Sequence, residues 1–157
     1  KVITTLNGQK IKNELKSLEP DVFLFCAFDT IAGPKFLEIP SIGTYNVHFG
    51  KLPQYKGSVS AFWVLRFNDQ TGGASIHKAI PELHSGELFA EIEVPVRENS
   101  MNSLMMDTAG EMLKNFIDDL YNGSLKAIDT SKRPNGYYYL PGRKNFKQFY
   151  KSNCRLV

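Results

Sequence analysis

Hydrophobic residues change period along the chain, and each change marks an element. Over 9–18, Ile11, Leu15 and Leu18 recur at helical spacing among lysines and glutamates. That predicts an amphipathic helix, closed by Glu19-Pro20. An unbroken apolar run follows, Val22-Phe23-Leu24-Phe25-Cys26-Ala27-Phe28, the pattern of a parallel strand covered on both faces. Cys26 inside it reads as a small core hydrophobe. Gly33-Pro34 starts a short helix to 39, and Pro40 ends it. A second strand spans 43–48. Strand, helix and strand with short connections predict a parallel α/β unit. Ahead of them, 2–5 reads as a short strand before an Asn7-Gly8 turn.

The pattern continues with a helix over 58–63, Ala61 and Phe62 facing inward, and a strand beginning at 64–67. Trp63 reads as core rather than as a ligand stack. A turn over 68–73 leads to a strand over 74–80 and a loop over 81–86. In the strand over 87–96, Leu88, Ala90, Ile92, Val94 and Val96 alternate with a mostly polar set, and Pro95 suggests an edge. A long helix over 103–121 carries the stripe Met105, Ala109, Met112, Phe116 and Leu120. Asn122-Gly123 stops it. The rest holds Tyr137-Tyr138-Tyr139 and a basic-aromatic helix over 143–151. The expected class is α/β, a partial, open, mostly parallel sheet with flanking helices. It divides into a domain over 1–125 and a C-terminal tail over 126–157.

Composition narrows the function. With 157 residues, 42% hydrophobic and 22% charged, the chain suits one folded domain rather than a disordered one. A net charge of +3 from scattered Lys and Arg gives no strong nucleic-acid signal. The late cluster Arg143, Lys144, Lys147 and Lys151 reads as a solvated helix face. Two cysteines make no disulfide framework. No apolar run has the length of a membrane span and the start is unlike a signal peptide, so a cytoplasmic setting is expected. The first residue is Lys, so further residues are expected ahead of it. No Cys/His cluster has metal-ligand spacing, and no metal is expected.

The candidate chemistry gathers at the end of the second strand. Asn46 and His48 stand at i and i+2, hence on one face of it. An amide donor beside an imidazole that titrates near neutrality can polarise a carbonyl and move protons there. His77 lies mid-strand and reads as structural.

Three segments then resemble the formyltransferase superfamily. Asn46-Val47-His48 with Leu52-Pro53-Gln54-Tyr55-Lys56-Gly57 is similar to its Asn-x-His…Leu-Pro-x-aromatic-(Lys/Arg)-Gly pattern. Pro20-Asp21 leads into the strand ending Ala27-Phe28-Asp29 at the expected distance. Thr71-Gly72-Gly73-Ala74-Ser75-Ile76-His77 with His84-Ser85-Gly86 is similar to its Thr-Gly-Val-Thr-Ile-His…Asp-x-Gly region. The resemblance implies the later part of a Rossmann-like catalytic domain without its first strands, which leaves one sheet edge in need of cover. It implies transfer of a formyl group from 10-formyltetrahydrofolate to a small-molecule amine, with a nucleotide-linked amino-sugar suggested by the tail. It leaves room for a homo-oligomer and gives no membrane partner.

By that resemblance Asn46, His48 and His84 are the catalytic positions. Phe28, Asp29, Thr30, Leu83, Ser85 and Gly86 would line the folate pocket, and Tyr55, Lys56 and Gly57 would meet the acceptor. Lys56 reads equally as a solvated charge. One position departs from the pattern: His84 stands where the family has its catalytic Asp. An imidazole supplies no permanent negative charge, so His84 is either a working residue or a surface one. A weakened or inactive formyltransferase-like binding module and a formyl-folate hydrolase are the alternatives.

Overall fold

The computed structural model describes residues 9–28, 30–96 and 110–154. The strand expected over 2–5, Asp29 and the first part of the long helix lie outside the described residues. In order the elements are α1 (Gln9–Lys16), β1 (Val22–Cys26), α2 (Pro34–Leu37), β2 (Gly43–His48), β3 (Lys56–Gly57), α3 (Ser60–Arg66), β4 (Thr71–Lys78), β5 (Leu88–Pro95), α4 (Gly110–Tyr121), β6 (Tyr137–Tyr138) and α5 (Arg143–Lys151). Four strands form one sheet in the order β1-β2-β4-β5, and β3 and β6 form a second. The α/β, Rossmann-like class holds. The larger sheet is mixed: β1 runs parallel to β2, while β4 is antiparallel to both β2 and β5.

The two-residue period of β2 and β4 sorts their side chains onto two faces. Tyr45 and Val47 of β2 join Ala74 and Ile76 of β4 and pack against Met112 and Phe116 of α4. The opposite face receives Thr44, Asn46 and His48, with Ser75 and His77 across from the last two. An apolar floor therefore fixes the register that brings the polar residues together. A second cluster joins Tyr55, the α3 residues 61–65, and Phe149 of α5. Its centre is the stack of Phe62 on Phe149, ring centroids 4.6 Å apart. Residues late in the chain thus close over α3, and Trp63 is held there by its indole N–H, which donates to the Tyr139 carbonyl at 3.1 Å.

Three expectations change. The strand expected at 64–67 is helix, because Ser60–Arg66 is one continuous α3 with residues 60–65 all buried. An apolar run buried on every side looks the same in either state, and only its packing between the strands and α5 decides. The next strand begins at Thr71 rather than 74. Cys26 is exposed rather than core. It ends β1, which forms one edge of the sheet among the described residues and is only partly covered. At the other edge β5 carries Pro95 at its end, where a missing N–H costs no ladder bond.

Candidate active site

All three histidines of the chain meet on the polar face of the sheet. β2 carries Asn46 and His48, and antiparallel β4 places His77 opposite Asn46. A ladder irregularity between Ile76 and His77 lies at that point, a common way to re-aim a strand beside a site. The loop after β4 then folds back over the pair. His84 takes a left-handed backbone, φ 53°, and its ring centroid comes to 3.9 Å from that of His48 and 5.4 Å from that of His77.

Their hydrogen bonds fix which ring nitrogen carries the proton. A carbonyl only accepts, so His48 Nε2–H donates to Tyr55 O at 2.7 Å and Nδ1 is left with its lone pair. His77 Nδ1–H donates to Lys78 O at 2.9 Å, and its Nε2 accepts from the Asn46 amide at 3.2 Å. His84 shares the tautomer of His48 but engages its other nitrogen. Its Nδ1 accepts the backbone N–H of Gly57 at 2.9 Å, so the proton sits on Nε2.

The rings stay uncharged. Burial, against the Tyr55 hydrogen bond and aided by His77, lowers His48 to about 4. Burial first, then the neighbouring His48, His77 and Lys56, lowers His84 to about 3. Burial also lowers His77, opposed by its bond to Lys78. At neutral pH the site therefore presents N–H donors and one bare imidazole nitrogen, with no imidazolium.

Two hollows that share wall residues border these groups. A small apolar one lies among Phe25, Phe28, Ile31, Leu83 and the polar pair Asn46 and His77. A wider one of about 640 Å³ includes Asn46, His48, His84, Gly57, Phe28 and Thr30, with Val59 and Leu140 among its walls. Of the residues read from the sequence, Asn46, His48, His84, Phe28, Thr30, Leu83 and Gly57 therefore meet at one place. Asp29 lies outside the described residues. Ser85 is exposed and its hydroxyl donates to Leu83 O. Gly86 lies in neither wall; a Cβ there would stand 1.9 Å from Lys78 O, so glycine lets the returning chain touch β4. Tyr55 meets the site only through its carbonyl on His48: its side chain lines neither hollow, is buried, and its hydroxyl donates to Asp69. Lys56 is half-buried in β3, paired with Tyr137.

Two contacts go beyond the sequence reading, in which His77 is structural and Ser60 is not singled out. His77 touches Asn46, a contact that requires the register of β2 on β4. Ser60 lies 3.0 Å from His48 Nε2, in a segment that reads only as the start of a helix. Among the described residues no group of three His, Cys, Asp or Glu stands where it could hold a metal ion.

The walls suit a folate in kind. Aromatic and aliphatic side chains line the hollows together with an amide and imidazoles, the mix of apolar body and few polar groups that organic ligands select.

Comparison with known proteins gives the same direction. The formyl transferase family matches residues 4–118. The methionyl-tRNA formyltransferase of Thermotoga maritima is 28% identical over 126 residues, covering 78% of this chain and 40% of that protein. Among solved structures, HypX from Aquifex aeolicus in complex with tetrahydrofolic acid superposes with a TM-score of 0.74 at 15% identity, over 87% of this chain and 24% of its own. The formyltransferase PseJ from Anoxybacillus kamchatkensis, in complex with UDP-4,6-dideoxy-4-formamido-L-AltNAc and tetrahydrofolate, gives 0.69 at 20% identity, over 95% of this chain and 76% of its own. The chain spans about 40% of the length of the methionyl-tRNA formyltransferase it matches. No helix among the described residues is long and apolar enough to cross a membrane. The match over most of its residues assigns this chain to the formyl transferase family.

Proposed function

We propose that the protein moves a formyl group from 10-formyltetrahydrofolate to a small-molecule amine, and that Asn46, His48 and His84 do this work. The observation that carries the reading is their convergence on one hollow, with hydrogen bonds that leave a lone pair on His48 Nδ1 and an N–H on His84 Nε2. The folate, when bound, supplies a formyl carbon open to attack by nitrogen. As an amine nitrogen bonds to that carbon, charge grows on the formyl oxygen. Asn46 holds one amide hydrogen on His77 and keeps the other for that oxygen. His84 Nε2–H is a second donor. Donors placed in advance in a partly dry site are worth most there. The proton leaving the amine goes to His48 Nδ1, whose lone pair is free at neutral pH, and passes on to the folate nitrogen as the bond from that nitrogen to the formyl carbon breaks and tetrahydrofolate leaves.

Phe28, Thr30 and Leu83 would flank the folate, and Gly57 the acceptor side. An amino-sugar attached to a nucleotide is the finer reading of the acceptor. It is supported by the fold shared with PseJ and by the exposed Leu140 in the wall of the wider hollow.

A second reading has its own observation. His84 has its only basic nitrogen occupied by Gly57 N–H, so it cannot receive a proton as a carboxylate would. A module that binds folate without turnover follows if that loss decides. Tetrahydrofolate formation from 10-formyltetrahydrofolate, followed with and without a panel of amines, separates the two. Amine-dependent formation, lost in Asn46→Ala, supports transfer. Folate binding without product supports the module. Amine-independent formate release indicates hydrolysis, and absence of both binding and product in the folded protein rejects all three.

A further inference from the structure

We infer that Ser60 is a positioning residue that fixes the ring of His48 with its proton on Nε2 and its lone pair on Nδ1. The inference rests on the reading of His48 as the proton acceptor. Ser60 is buried, and its hydroxyl oxygen lies 3.0 Å from His48 Nε2 while its own hydrogen donates to Tyr55 O at 3.1 Å. His48 Nε2 lies 2.7 Å from the same carbonyl. The three groups close a small triangle in which the Nε2 proton has two acceptors. A proton placed on Nδ1 instead would leave a carbonyl oxygen facing a nitrogen lone pair, two acceptors with nothing between them.

The surrounding backbone is shaped for this contact. Val59, directly before Ser60, has φ 55° and ψ 48°, left-handed values that a β-branched residue adopts only at a cost. That bend sets Ser60 at the first position of α3 rather than letting it run on from the loop. On the far side, a Cβ at residue 50 would stand 2.6 Å from Ser60 Cβ and 2.9 Å from His48 Nε2. Only glycine there lets the loop cover the triangle. Strain on one side and a side-chain-free residue on the other both serve the same hydroxyl.

When His48 takes a proton on Nδ1, the Nε2–H becomes a stronger donor, and the Ser60 oxygen and Tyr55 carbonyl receive it. Ser60 therefore acts on the transition state through His48.

The test is Ser60→Ala in the full chain, read by ¹⁵N NMR of the histidine rings and by steady-state kinetics. The expected spectrum of the native protein has His48 protonated at Nε2 alone. In Ser60→Ala a detectable share of the Nδ1–H form should appear, and kcat should fall about tenfold with KM for 10-formyltetrahydrofolate unchanged. An unaltered His48 spectrum and unaltered kcat in folded Ser60→Ala would overturn the inference. So would a rise in KM alone. If Ser60→Ala does not fold, Ser60→Cys keeps the volume with a poor acceptor and should give the same spectral change; failure of both to fold makes Ser60 purely structural. The spectrum reads the tautomer whether or not the protein turns over, so absence of activity would count against the formyl-transfer reading and not against this one.

Discussion

The imidazoles of His48 and His84 lie face to face at a 3.9 Å centroid separation, tilted by 37°. Two like groups this close cannot both be cationic, and burial disfavours either charge. Both carry the proton on Nε2, but opposite nitrogens are engaged: Nε2–H is donated to a carbonyl in His48, and Nδ1 accepts an amide in His84. One ring can take a proton from a reacting group and the other can give a hydrogen bond to one. A carboxylate at position 84 could take a proton but, while ionised, gives no hydrogen bond.

The first consequence is acid sensitivity. His48 has its folded pKa lowered to about 4, against an ordinary value of 6.5. Below pH 6.5 the unfolded chain binds protons that the folded one refuses, so stability falls as pH drops through this window. His48 alone accounts for a loss on the order of 3 kcal/mol by pH 4, with His84 and His77 shifted in the same direction. Urea midpoints should fall between pH 7 and pH 4.5, and less steeply in His48→Gln. A flat profile would mean that the rings are not held neutral.

Tyr55→Phe should cost stability without changing acceptor affinity. The hydroxyl is buried and donates to Asp69, and a hydrogen bond to a charged partner is worth roughly 1.5–3 kcal/mol. Thermal unfolding should show the loss. An unchanged melting temperature with a raised acceptor KM would return Tyr55 to the binding surface.

Gly57→Ala should disturb the site more than its small size suggests. Residue 57 has φ +99°, and a Cβ would stand 2.0 Å from the Tyr138 carbonyl. The β3–β6 pairing must shift, and with it the N–H that holds His84. Activity should drop at least tenfold, with a change in the ¹⁵N signal of His84 Nδ1. Native activity and an unchanged signal would show the contact to be dispensable.

His77→Ala should leave Asn46 free to rotate, because it removes the acceptor of one amide hydrogen. The expected result is a lower kcat, by about tenfold, with little change in folate binding. His77→Gln, which keeps an acceptor, should recover part of it. Equal defects in both would point to packing instead.

Much of this was legible in the sequence because it is local. The boundaries of β2 and α5 follow from period and punctuation, and the i, i+2 spacing of Asn46 and His48 places both on one face. What stayed hidden depends on register or on competition for burial. The contact of His77 with Asn46 exists only because β4 pairs with β2 in one particular alignment. Ser60 meets His48 only through a left-handed turn at Val59, which a valine does not announce. Tyr55 carries the motif of an exposed loop yet is drawn inward by Asp69 and by stacking on Tyr138 at 5.5 Å. Residues 64–67 are apolar enough for strand or helix, and contact with α5 settles it.

The most direct measurement is formyl transfer by His84→Asp beside the native protein, with the same amine acceptor. If His84 works as a neutral donor to the formyl oxygen, the carboxylate removes that donor, and kcat/KM falls by about 10²-fold or more. A rise in kcat/KM would show that the site lacks a carboxylate rather than uses an imidazole, and would contradict this account of the three histidines.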